Sequence, residues 1–81
     1  MRVTVKLFAI LREQAGVSTL SFDLPENSTV DTALKRLLEV HPGLGQSLAK
    51  AACALNRAYS PRSTVLKDGD EVALIPPVSG G

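Results

Sequence analysis

One cysteine and one histidine occur in the 81 residues, and those scarcities exclude a good deal. A lone thiol, Cys53, leaves no internal disulfide and suits a reducing compartment, so a cytoplasmic location is expected. With His41 the sole histidine and no second cysteine, no set of zinc ligands is available and no metal is expected. His41, beside Pro42, reads as a helix-end residue favoured by the dipole. Cys53 sits within "AACALN" and reads as a small buried hydrophobe whose apolar surroundings dull its thiol. No apolar run approaches the roughly 20 residues that span a bilayer. The opening "MRVTVKLFAI" alternates and reads as a strand, not as a secretory signal. An excess of one charge is also missing. Nine basic residues against eight acidic ones leave a net charge of +1, which offers no footprint for nucleic acid or an anionic membrane.

Catalytic sets are scarce as well. Gly43 and Gly45 follow a helix and do not open one, so no phosphate-cradling loop is expected. Asp68, Asp70 and Glu71 cluster around a turn, where aspartate is expected for its local hydrogen bonds. No grouping of side chains suits acid–base or nucleophilic chemistry, and a stand-alone enzyme is not expected.

What is present is patterning. An apolar fraction of 44 % in a chain of this length predicts one domain, residues 1–81, with a modest core. Val3, Val5 and Leu7 face one way, and Thr4, Lys6 and Phe8 the other. After the polar interruption "REQAG", with room for a helical turn, Thr19 to Leu24 alternates again. Leu20, Phe22 and Leu24 share one side. In "PENSTVDTALKRLLEVHPG", Val30, Ala33, Leu34, Leu37 and Leu38 recur at the helical period. Ser28 or Thr29 caps that helix, and Pro42 and Gly43 end it. "LGQSLAK" is ambiguous, with a further helical turn one reading. "AACALN" reads as a buried strand, with weak extra pairing possible near Val65. Asp68-Gly69-Asp70 turns the chain into a last strand, Glu71 to Ile75, which Pro76 and Pro77 stop. Strand, strand, helix, strand, strand, with one main helix across one face of a mixed sheet of four to five strands, is an α+β fold of β-grasp type.

Two features stand out against that scaffold. If the first and last strands are adjacent, Phe8 and Ile75 form one apolar patch on the helix-free face, and Tyr59, in the loop before "SPRS", extends it. Beside the patch runs a flexible C-terminal tail, 76–81, comprising Pro76, Pro77, Val78, Ser79, Gly80 and Gly81. Fully extended, those residues reach about 18–22 Å. Without side chains, Gly80 and Gly81 fit a narrow channel, and the Gly81 carboxylate is the addressable group at the tip.

"FAILRE" at Phe8 to Glu13, the helix opening "TVDTALKRLL" and the ending "DGDEVALIPPVSGG" together resemble the small subunit of molybdopterin synthase, the MoaD-type ubiquitin-like sulfur carrier. The resemblance spans essentially the whole chain, and "PPVSGG" is its most specific part. It implies that an E1-like adenylyltransferase uses ATP to adenylate the Gly81 carboxylate. Sulfur from a cysteine desulfurase or rhodanese route then leaves 1-thioglycine at Gly81. The tail next enters the large subunit of molybdopterin synthase and donates sulfur to cyclic pyranopterin monophosphate in molybdenum cofactor biosynthesis. The chain itself binds no cofactor stably. The resemblance further implies that positions matching Phe8, Tyr59 and Ile75 contribute to the partner surface. Two neighbouring readings share the activated intermediate: sulfur carriage to tRNA thiolation, and a ubiquitin-like modifier conjugated through Gly81. Carriage to thiazole formation fits less well, because such carriers are shorter and lack "PPVSGG".

Overall fold

Val3, Val5 and Leu7 are essentially inaccessible to solvent, while the residues between them remain partly open. That alternation places β1, Arg2–Leu7, on the inner side of a sheet in the computed structural model, which describes residues 1–77. Pro76 and Pro77 fall within the described residues. Val78, Ser79, Gly80 and Gly81, the rest of the expected tail, lie outside them.

The connection after β1 holds more than a single helical turn. Ala9–Ala15 forms a helix, α1, closed by Gly16 at φ 76°, whose N–H donates to Arg12 O. That left-handed position is one glycine occupies without strain. Leu11 is 0 % exposed, so the helix that begins ahead of "REQAG" contributes a core residue, while Arg12, Glu13 and Gln14 of that polar stretch stay exposed. β2, Thr19–Asp23, then pairs antiparallel with β1, Val3 opposite Phe22 and Val5 opposite Leu20.

The main helix, α2, runs Val30–Val40. Thr29 caps it: its side chain accepts from Thr32 N–H, and the Thr32 hydroxyl accepts from Thr29 N–H. This reciprocal pair satisfies donors that a helix start otherwise leaves open. Ser28, the alternative cap, instead donates to Pro25 O at 2.7 Å. Val30, Ala33, Leu34 and Leu37 are buried and Leu38 is half-buried against the core, as the helical period predicts. The helix stops at His41, before Pro42, because a residue preceding proline is pushed away from helical geometry. Pro42–Leu44 makes a 3-10 turn, and Gly45–Lys50 follows as α3. The ambiguous segment is therefore helical, with Leu44 and Leu48 buried in the same core.

Three further strands complete the sheet: β3, Ala52–Leu55; β4, Ala58–Tyr59; and β5, Glu71–Ile75. Their order is β2-β1-β5-β3-β4. β1 and β5 run parallel, Val5 opposite Val72 and Leu7 opposite Leu74, and the other pairs are antiparallel. The sheet is thus mixed and five-stranded. An isolated bridge, Thr29 to Val65, provides the extra pairing expected near Val65. The expected single helix is joined by α1 and α3, and Leu11, Leu37 and Leu48 all pack into one cluster with Val3, Val72 and Leu74. Burying one apolar face of a sheet against helices leaves the other face uncovered.

Candidate functional site

The uncovered face is organised by sheet register. Tyr59 stands opposite Ala54, Ala54 opposite Ala73, and Ala73 opposite Lys6. Successive side chains in a strand alternate faces, so this row points away from the helices. Its two middle members are alanines, too small to fill the space between their neighbours. Ala54 is 6 % exposed, yet it does not belong to the core cluster. It forms the floor of a hollow of about 330 Å³, walled by Phe8, Tyr59 and Ile75 and bordered by Lys6, Arg57 and Glu71.

All three expected patch residues meet here. Phe8 is 43 % exposed and follows β1 directly, with extended backbone at φ −126°. It was expected as the last outward position of β1, and it stands instead as the residue that caps α1. Ile75 ends β5, half-buried, so the wall of the hollow lies one residue before Pro76. Tyr59, 77 % exposed, was expected in a loop but belongs to β4 at the sheet edge. Asn56 and Arg57 make the turn that leads into that strand, with φ of 49° and 73°. The signal for it was in the sequence: an Asn-containing dipeptide between "ACAL" and "AY" fits a two-residue hairpin loop.

The polar groups near the hollow are mostly committed. Lys6 Nζ lies 3.3 Å from Glu71 Oε2. Asp70 accepts from Lys67 N–H and from Asn56 Nδ2, and Asp68 accepts from Arg2 N–H. The acidic cluster therefore shapes the turn at Gly69, whose φ is 86°. Among the described residues, no three His, Cys, Asp or Glu side chains converge as metal ligands.

A second, more open depression of about 460 Å³ lies beside Cys53 and Arg62. The Arg62 guanidinium is turned onto the C-terminal end of α3, donating to Leu48 O and to Ala51 O just beyond the helix, where a cation satisfies helix-end acceptors. Cys53 is buried, and burial pushes its thiol pKa up although Arg62 pulls the other way. A thiol held neutral is a poor nucleophile. Of the two depressions, the hollow on the helix-free face has the apolar walls and exposed aromatics of a surface that binds another macromolecule.

A mixed sheet with a helix laid across one face and a parallel pair of terminal strands defines a ubiquitin-like β-grasp protein. The chain belongs to the ThiS family, which matches residues 5–81. Among its relatives, the molybdopterin synthase sulfur carrier subunit of Chlamydomonas reinhardtii is 41 % identical over 83 residues, covering all of both chains. In solved structures, SAMP1 from Haloferax volcanii superposes with a TM-score of 0.93 at 34 % identity, again over all of both chains. The complex of subunits 1 and 2 of the molybdopterin-converting factor from Helicobacter pylori contains a chain that superposes with a TM-score of 0.72 at 32 % identity, covering all of both chains.

Proposed function

We propose that this chain is the sulfur-carrier subunit of a molybdopterin synthase. The observation that supports this reading most strongly is identity of 35–41 %, over all of this chain, to relatives bearing that name. The apolar hollow adds physical sense, because a carrier has to be held by its partners while its terminus is worked on. The Helicobacter pylori homologue is itself half of a two-subunit complex, and here the hollow is assigned to the large subunit.

In this reading the chain supplies no catalytic side chain. An E1-like adenylyltransferase joins the Gly81 carboxylate to the α-phosphate of ATP and releases pyrophosphate. A persulfide supplied through a cysteine desulfurase or rhodanese displaces AMP to give an acyl disulfide. A second partner thiol cleaves its S–S bond, forming a disulfide with the sulfur that bore the persulfide and leaving a thiocarboxylate on Gly81. Adenylation matters because a carboxylate oxygen is a poor leaving group until it is phosphorylated. The thiocarboxylate is anionic and soft at neutral pH, so it attacks without a base from its own chain. Its sulfur passes to cyclic pyranopterin monophosphate in the active site of the large subunit. Pro76 and Pro77 fix the exit from β5, and Val78 to Gly81 form the segment that enters.

The test is mass spectrometry after incubation with the activating enzyme, ATP and a sulfur donor. Replacement of one oxygen by sulfur, confined to the C-terminal peptide, is expected, followed by molybdopterin formation once the large subunit and the pterin precursor are added. A thiocarboxylated chain that yields no molybdopterin sinks the assignment. A second reading, conjugation to other proteins through Gly81, draws on the close superposition with SAMP1, a relative named as a modifier. Isopeptide-linked Gly-Gly remnants without the sulfur exchange would favour it.

A further inference from the structure

The hollow carries one cation that the described fold leaves unanswered. Lys6 and Glu71 pair with each other, so their charges offset one another on its border. Arg57 borders the same hollow, is exposed, and enters no ion pair among the described residues.

Its backbone setting is one that side chains disfavour. Leu55 and Ala58 are paired, so Asn56 and Arg57 alone close the β3–β4 hairpin, both with positive φ. In such a loop the second position favours glycine. Asn56 suits the first position, and its side chain is used there: Oδ1 accepts from Glu71 N–H at 3.0 Å and Nδ2 donates to Asp70 Oδ1 at 2.9 Å. Arg57 has no comparable part in the turn. An arginine where glycine fits better weakens the hairpin and places a long cationic side chain at the rim of an apolar hollow.

We propose that Arg57 is a specificity-determining residue of this docking face, engaging a carboxylate on the partner subunit that covers the hollow. The inference rests on the reading of that face as the docking surface for the large synthase subunit. A guanidinium presents a planar fork of donors that matches a carboxylate through two parallel hydrogen bonds. Once a partner seats on Phe8, Tyr59 and Ile75 and excludes water, the attraction between such charges strengthens. A protein with an apolar face but no acid opposite Arg57 would leave that cation desolvated and unpaired, which selects against it. The partner chemistry is thus an apolar surface with an acidic side chain set at its margin.

The experiment titrates Arg57→Gly, Arg57→Glu and Phe8→Ala against the purified large subunit at low and high salt, with thermal unfolding of each free variant. Arg57→Gly is expected to raise Tm by about 4 °C or more, by relieving the turn, while weakening binding about tenfold or more. Arg57→Glu is expected to bind more weakly still, with the deficit shrinking as salt screens the repulsion. Opposite directions for stability and affinity in a single variant are what a merely structural role does not produce. If Arg57→Gly lowers stability and binding together, or if both Arg57 variants bind like the wild type while Phe8→Ala is weakened, the role of Arg57 is overturned and the docking face stands. If Phe8→Ala also binds normally, the reading of the face fails, and this inference fails with it.

Discussion

Asn56 ties the β3–β4 turn to the start of β5: its Nδ2 donates to Asp70 Oδ1 at 2.9 Å, and its backbone N–H donates to Glu71 O at the same distance. Its Oδ1 also accepts from Glu71 N–H. The side chain therefore sets where Arg57 and Tyr59 stand relative to the hollow. Asn56→Ala is expected to destabilise the fold by about 1–2 kcal/mol, from lost hydrogen bonds and from a Cβ-bearing residue held at positive φ without local compensation. Asn56→Gly, which tolerates that φ, should lose less. Urea unfolding of the two variants separates the contributions, and equal losses would show that backbone strain plays no part.

Leu11 tests whether α1 belongs to the core. The residue is 0 % exposed although Ile10 and Arg12 on either side of it are exposed. Leu11→Ala is expected to cost about 2–5 kcal/mol of stability. Ile10→Ala, one position away and 44 % exposed, should change stability by no more than about 0.5 kcal/mol. Similar losses at both positions in chemical denaturation would contradict the placement of the helix.

Phe8 separates docking from folding. Being 43 % exposed on the hollow, it should contribute little to the free chain. Phe8→Ala is expected to weaken association with the large subunit by about 1–3 kcal/mol, read by calorimetry. An equal loss of fold stability would assign the ring to the core.

Cys53 makes stability depend on pH in one direction. Burial raises its folded pKa above the unfolded value, so the folded chain binds this proton more tightly. Stability from this group is fully present below the ordinary thiol pKa of about 8.5 and declines as pH rises through the folded value. Comparing Cys53→Ala with the wild type by urea unfolding at about pH 7 and about pH 10 isolates the effect. The wild type is expected to lose more stability across that interval. Equal slopes would mean that the thiolate is accommodated.

Gly81 tests the carrier reading apart from the fold. Every residue of the core cluster lies between Val3 and Leu74. Deleting Gly81, or adding one residue after it, is expected to abolish adenylation in an ATP–pyrophosphate exchange assay while leaving Tm unchanged. A variant that remained a substrate would remove the terminal carboxylate from the mechanism.

The elements readable from residues alone were those whose causes lie within a few positions. Alternation in β1 and β5 set their buried faces, because strand side chains reverse direction at every residue. The period of Val30, Ala33, Leu34 and Leu37, together with a threonine cap, specified α2 for the same local reason. Chain order was enough to suggest a β-grasp and the apolar trio of Phe8, Tyr59 and Ile75. Folding in three dimensions settled the rest. Leu11 and Leu48 are buried because distant strands supply the surface that covers them, which made a full helix of a connection with room for a turn and a helix of an ambiguous segment. β4 exists because Ala54 offers an edge for Tyr59 to pair with. The hollow arises because Ala54 and Ala73, far apart in the chain, come to lie side by side between larger residues. Small side chains become a binding surface only when long-range strand pairing places them together, and no short-range pattern encodes that distance.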